Sequence, residues 1–348
     1  MCWYIPRRNM ASFLQRLTCL MFCLMAIVAQ AQEVVRMHKQ RSFAQTVPPG
    51  DYSGIAWLGG KEYAVVCDKT NDGFLRFQID IDTLSGDIKQ VACLGKQTIG
   101  SNRRDAEDIV FTGVDSTLFI CCESDNEVWE YLLDGTPTGR KLQVPEVYKK
   151  ATGNYGLEAL AYDDALRWFW TINESTMVGD GEQATASNGV ANRLRLQAFD
   201  DNMRPLRQYC YQMERPIADK PAFLFAMGVS AITAMGDGRL MVLEREFHVP
   251  KGKLGAYANC RLFIVDPEKG LPVDPRQQLQ QAIPLEKRLV GEWRTSLSLF
   301  NHAIANYEGM CFGPTLADGN RVLVMLSDSQ HQYAGVLKDW FRTIVIKP

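Results

Sequence analysis

The sequence predicts an all-β fold, a β-propeller of four-stranded antiparallel blades. Three observations predict it: one strand-turn-strand pattern recurs five times, turn residues separate short apolar strands, and helical periodicity is nearly absent. The first strand of each pair opens on Ser53-Gly54-Ile55-Ala56, Glu107-Asp108-Ile109-Val110, Glu158-Ala159-Leu160-Ala161, Ser230-Ala231-Ile232-Thr233 and Glu308-Gly309-Met310-Cys311. Position one is Glu or Ser, and position three is Ile, Leu or Met. Each second strand is apolar and ends in an acid: Asp68, Glu123, Glu174, Glu244 and Asp328. The step from opening residue to acid is 15, 16, 16, 14 and 20 residues.

Third strands follow at Phe74 to Asp80, Val128 to Leu133, Arg193 to Phe199 and Arg261 to Val265, and fourth strands at Gln90 to Leu94 and Lys141 to Val144. Turn signals such as Ser85-Gly86-Asp87, Asp134-Gly135 and Gly236-Asp237-Gly238 lie between strands. A period of 51 to 78 residues fits propeller blades. The last unit has a third strand, Trp340 to Ile346, and no fourth. Val34 to His38 is expected to supply it and tie the ring shut, which removes an exposed edge. Five blades are readable. A sixth, degenerate blade between Glu244 and Glu308 is the alternative.

Residues 1–31 read as a secretory signal: Arg7, Arg8 and Arg16, an apolar run from Leu17 to Val28, then Ala29-Gln30-Ala31. The run falls short of the roughly 20 residues a membrane span needs. Met10 offers a tidier start, and Cys23 lacks the small residues that precede a lipid-modified cysteine. Residues 32–348 are then one exported domain, periplasmic or extracellular, expected as a monomer. A net charge of −2 without a Lys/Arg-rich run excludes nucleic acid as the natural partner. Seven cysteines remain after cleavage, an odd number with no CxxC spacing, which reads as small buried strand residues rather than a zinc site or disulfide framework.

In a blade the start of the first strand and the end of the second lie at one rim. Glu107, Glu158 and Glu308 should therefore meet Asp68, Glu123, Glu174, Glu244 and Asp328 at one mouth of the channel. Eight carboxylates there raise one another's pKa unless counter-charge is present. Lys69, Arg103, Arg104 and Arg245 lie beside them in sequence. Ca²⁺ is the expected cofactor, since it favours six to eight oxygen ligands, and Asp125 and Asn126 could add to them. Each acid also has a simpler reading, as an acceptor for turn amides that holds blades together.

These motifs resemble the secreted phytase-like family, described as having esterase-like activity of phytase. The resemblance rests on Ser53-Gly54, Asp105-Ala106-Glu107-Asp108-Ile109, Asn154-Tyr155-Gly156-Leu157-Glu158-Ala159-Leu160, Leu243-Glu244-Arg245, Asn306-Tyr307-Glu308-Gly309 and Ser327-Asp328, in order along nearly the whole mature chain. It implies an exported bacterial propeller that cleaves phosphate or carboxylate esters with a divalent metal.

The expected chemistry is metal-assisted phosphoester hydrolysis of a small molecule. Glu107, Glu158 or Glu308 would act as general base, and Arg104, Arg245 or Arg103 would stabilise charge on oxygen. Lys69, Ser53 and Asn154 would bind substrate, and Asp68, Glu123, Glu174, Glu244 and Asp328 would hold metal. A non-catalytic binding propeller and a calcium-dependent lactonase are the alternatives. No G-x-S-x-G occurs, and His38, His248, His302 and His331 are scattered without HExxH spacing. His248 follows Glu244-Arg245 and is the one histidine expected to reach the mouth.

Overall fold

The chain enters the fold through its outermost strand. In the computed structural model, which describes residues 34–69, 72–100, 105–151 and 156–348, β1 (Val34–Met37) and the short β2 (Arg41–Ser42) both pair with the last strand of the chain. Blade one follows as β3 (Tyr52–Gly59), β4 (Glu62–Cys67), β5 (Gly73–Ile81) and β6 (Ile88–Thr98). Blade two is β7 (Ala106–Thr112), β8 (Thr117–Cys122), β9 (Glu127–Leu132) and β10 (Pro137–Lys141). Blade three is β11 (Leu157–Asp163), β12 (Trp168–Asn173), β13 (Arg193–Phe199) and β14 (Pro205–Gln212). Blade four is β15 (Leu224–Ala234), β16 (Leu240–Val249), β17 (Tyr257–Val265) and β18 (Lys287–Ser296). Blade five is β19 (Asn306–Thr315), β20 (Arg321–Asp328) and β21 (Trp340–Ile346), completed by β1.

The blades are antiparallel meanders, and their inner strands pack in cyclic order β3, β7, β11, β15, β19 and back to β3. Five blades close the ring. The stretch between Glu244 and Glu308 holds only the outer half of blade four and its loops. The fourth strand of blade two lies at Pro137–Lys141, ahead of the expected Lys141 to Val144, and it pairs irregularly with β9 around Gly139, whose φ is 81°. The signal segment lies outside the described residues. Among those described, no helix is long and apolar enough to cross a membrane.

Strand alternation sends side chains to both faces of every blade, and each face packs on a neighbour. The buried apolar residues accordingly form one large cluster per interface. Blades one and two share Val66, Phe74, Ile109 and Ile120; two and three, Phe119, Val128, Leu160 and Phe169. Three and four share Trp170, Leu196, Val229 and Val242; four and five, Met241, Leu262, Tyr307 and Met325. Five and one close on Tyr52, Phe77, Val324 and Phe341. Six of the seven described cysteines are buried, five in these layers and Cys210 beside Val273 and Leu279, as expected for small strand residues, and none is in a disulfide.

Blades also lock through backbone at the rim. Gly228, which opens β15's approach to the axis, faces Glu174 of blade three, and a Cβ there would lie under 3.0 Å from the Glu174 side chain and carbonyl oxygen. Overpacking of this kind costs about 1–3 kcal/mol. Gly228→Ala is therefore expected to lower the unfolding free energy, read from urea unfolding, by that amount, while Gly252→Ala, where a Cβ meets nothing within 4 Å, leaves it unchanged.

Candidate functional site at the propeller mouth

One backbone irregularity repeats in all five blades. The register between first and second strands slips by one residue at Ser53, Glu107, Glu158, Ser230 and Glu308. Each opening residue is thus the extra residue of a β-bulge, unpaired in its ladder and free to be re-aimed. Sequence reading marked these positions without seeing why they differ from their neighbours.

Counting from the bulge settles the partner position. Its flanking pairs are Tyr52 with Cys67, Ala106 with Cys122, Leu157 with Asn173, Val229 with Glu244 and Tyr307 with Ser327. The residue after each is Asp68, Glu123, Glu174, Arg245 and Asp328. Blade four therefore presents Arg245, not Glu244, and the mouth carries seven carboxylates and an arginine rather than eight carboxylates. A one-residue offset turns a strand side chain to the opposite face. Glu244 is engaged elsewhere: it accepts from Tyr211 Oη at 2.7 Å, Lys287 Nζ at 2.5 Å and the Glu214 amide at 3.0 Å, at 2% exposure. It is no ligand of the mouth.

Arg245 reaches across three blades. Its Nη2 donates to Glu174 at 2.8 Å, and its Nη1 donates to Glu308 at 2.5 Å and to Asn306 Oδ1 at 2.7 Å. Asn306 Nδ2 in turn donates to Glu308 at 2.8 Å. Burial works against the charge of Arg245, but Glu308, Glu174 and Glu158 outweigh it and hold the guanidinium firmly protonated. Sequence reading took Asn306 only as part of a motif.

Burial and mutual repulsion raise the pKa of all three bulge glutamates. Glu107 lies well above the usual carboxylate range through burial first, then Glu308, Glu123, Asp68 and Glu174. Burial also raises Glu158, with Glu174, Glu107 and Glu308 adding to it, and Glu308, with Asp328 adding, while Arg245 opposes both shifts. Three glutamates from three blades are close enough to feel one another's charge. Burial pushes Glu123 and Asp328 up to about 7.

Some acids also perform the simpler task. Glu123 accepts the Gly156 amide at 2.7 Å, and Asp108 bridges to the next blade through the Leu160 amide at 2.8 Å. Ser53 donates from a buried hydroxyl to the Ala106 carbonyl at 2.5 Å, a bond between blades rather than a free substrate contact. Lys69 is exposed and pairs with Asp68 at 3.3 Å. Arg103, Arg104 and Asn154 lie outside the described residues.

Asp51 Oδ1, Asp68 Oδ1, Ser230 Oγ and Arg245 Nε are buried at or beside this mouth without a hydrogen-bond partner. Unpaired buried polar atoms are costly and mark places where solvent or a ligand is accommodated. As for calcium, among the described residues no three or more His, Cys, Asp or Glu side chains are grouped to hold a metal ion. With Glu174 and Glu308 committed to Arg245, the described set is not a preformed cation cage.

Fold and site together define a five-bladed propeller with an acidic, arginine-braced central mouth. A family model for phytase-like proteins, described as esterase-like activity of phytase, matches residues 47–331, and the chain belongs to this family. Among solved structures, the chain is similar to the endo-arabinase of Bacteroides thetaiotaomicron at 10% identity and a TM-score of 0.45, covering 89% of this chain and 98% of that one. It is also similar to a streptogramin B lyase at 10% identity and a TM-score of 0.38, with the same coverage. Both likenesses are too distant to speak to function. No curated protein matches the chain.

Asp328 links the site to stability. Its folded pKa, about 7, lies above its ordinary 3.8, so its contribution to folding is fully present below about pH 4 and is lost as pH rises through 7. Asp328→Asn removes the ionisation. Relative to wild type the variant is expected to gain on the order of 2–4 kcal/mol between pH 4 and pH 8, read from urea unfolding at both values. A constant difference between the two proteins would contradict the assignment.

Proposed function

We propose that the protein hydrolyses ester bonds of small molecules at the propeller mouth. The observation that carries this reading is the convergence of the bulge glutamates on a fixed, buried guanidinium. An ester needs charge stabilised on oxygen as the acyl centre is attacked, and a proton for the departing alkoxide. Arg245 is oriented by Glu174, Glu308 and Asn306 before substrate arrives, so its charge acts without reorganisation. Glu107, partly exposed and with no cation among its main electrostatic neighbours, is the proton donor. The upward pKa shift of Glu107 favours this acid role over the general-base role expected from sequence.

Charge balance selects the substrate class. Among the described residues Arg245 and Lys69 are the cations at this acidic mouth, a balance that favours an uncharged carboxylic ester or lactone over a dianionic phosphate monoester. Membership of the phytase-like family supports ester chemistry as such. Calcium takes no step in this mechanism. Its expected binding is tested separately by the melting temperature in calcium against chelator, where a rise of several degrees with calcium supports it. The Arg-rich leader with its Ala29-Gln30-Ala31 ending supports export to the periplasm or beyond.

The test is turnover of nitrophenyl carboxylic esters, lactones and nitrophenyl phosphate by the purified protein. Carboxylic esters should be cleaved fastest, and Glu107→Gln should lower kcat by roughly 10²–10⁴ without changing the melting temperature by more than a few degrees. Phosphate ester turnover exceeding every carboxylic ester, or no turnover at all, would overturn the reading.

A further inference from the structure

The turn that follows Asp328 is the most strained segment of the described backbone. Gln330, His331 and Gln332 are three consecutive non-glycine residues in the left-handed region, with φ of 47°, 52° and 55°. Each such residue costs of order 1 kcal/mol or more and persists only where its surroundings impose it, most often at functional sites. Here the surroundings are explicit. Asp328 accepts the Gln330 amide at 2.6 Å, and Ser329 Oγ accepts the Gln332 amide at 3.0 Å while donating to Asp339 at 2.7 Å. Gln332 Nε2 also donates to Asp339, at 2.8 Å.

The product of this bracing is the position of His331. Its Nδ1 bonds Asp51 of blade one, a carboxylate 1% exposed whose second oxygen is buried without a partner. The imidazole itself is 59% exposed, and among the described residues Nε2 has no partner. Asp68, Lys69 and Asp328 are the charged groups that act together with Asp51 at this rim, and Asp339 faces the turn from β21's side. The flanking residues Gln330 and Tyr333 also line an apolar pocket of about 300 Å³, walled by Phe223, Leu224, Phe247, Ile304 and Leu337. One turn thus separates the acidic mouth from an apolar recess.

We propose that His331, oriented by Asp51, is the general base of this site, and that the recess takes the apolar acyl arm of a carboxylic ester. The proposal rests on the ester-hydrolase reading and names its base and substrate. Nε2 takes a proton from water as the water oxygen bonds to the carbonyl carbon. The bond from that carbon to the alkoxide oxygen then breaks as Glu107 gives the alkoxide its proton, and the proton held on Nε2 returns to Glu107 through solvent, so ester and water give acid and alcohol and both groups are reset. A carboxylate on Nδ1 fixes the tautomer that leaves Nε2 as acceptor.

The rival role for the pair is a latch that pins the strained turn. His331→Asn separates the two, because asparagine tolerates the left-handed region and keeps a donor for Asp51 yet offers no base. On nitrophenyl butyrate, His331→Asn and His331→Ala should each lose roughly 10²–10⁴ in kcat with KM changed less than threefold. Added imidazole should restore part of the activity of His331→Ala. The pH profile of Asp328→Asn is recorded beside that of wild type, which separates the titration of Asp328 from the effect of losing His331. Wild-type kcat/KM should rise about threefold per methylene from acetyl to hexanoyl esters. If wild type cleaves no ester, this inference falls with the reading it rests on. If wild type is active while His331→Asn retains full kcat, or imidazole restores nothing, only this inference falls.

Discussion

Five inner strands that start at one rim cannot keep their opening side chains apart, and that convergence is the constraint behind the rest of the site. The β-bulge sharpens it. By removing each opening residue from its ladder, the bulge frees Glu107, Glu158 and Glu308 from cross-strand pairing and lets them act on one another. Nothing in strand geometry supplies the counter-charge this demands. One blade supplies it by presenting Arg245 where the other four present an acid, and burial and mutual repulsion raise the pKa of the bulge glutamates. Reactivity and stability at the mouth are therefore one electrostatic problem. A neutral buried glutamic acid is both the cheapest state for the fold and the one able to give up a proton to a leaving group.

The propeller was legible in the sequence because its signals are local. Apolar strand runs, turn residues and the two-position spacing of Ser53-Gly54-Ile55 or Glu308-Gly309-Met310 survive without knowledge of any partner strand. The closing role of Val34–Met37 could be inferred because an unpaired edge is unfavourable whatever the blade count. What the sequence hid was register. In blades one, two and three the second strand ends just before its marked acid, so the end of the apolar run points to it. In blade four β16 runs on through Glu246, Phe247 and His248, and Glu244 sits mid-strand with an arginine after it. Only the bulge opposite, a property of the pair rather than of either segment, identifies Arg245 as the equivalent position. Likewise His331 and Asp51 lie 280 residues apart and meet only because the ring closes between blades five and one.

The acids divide their labour by where their oxygens point. Asp108 and Glu123 turn to backbone amides of the following blade and tie the ring together, and glycines at 156 and 228 allow that close approach. Such bonds make the rim rigid, and a rigid rim keeps Arg245 and the bulge glutamates oriented before a ligand arrives. Structural and chemical readings of a carboxylate are thus complementary here. The first kind of acid sets the geometry in which the second kind is forced to stay neutral.

A ring of near-equivalent blades offers little specificity on its own, since each contributes the same elements at the same height. Asymmetry has to come from a blade that departs from the repeat. Blade four does so twice: it replaces the rim acid by Arg245, and its inner hairpin is extended, pairing Leu224 with Val249 well beyond the bulge. That extension brings Phe247 and Leu224 against Ile304 and Leu337, and the turn after β20 closes the gap with Gln330 and Tyr333. The polar centre and the apolar recess are consequently built from the same two departures, lengthened strands in blade four and a strained turn in blade five. Under the proposed reading, a ligand meets both surfaces at once, a charge-stabilised group toward Arg245 and an apolar one toward Phe247. An ester joins those two kinds of group through a bond at their junction.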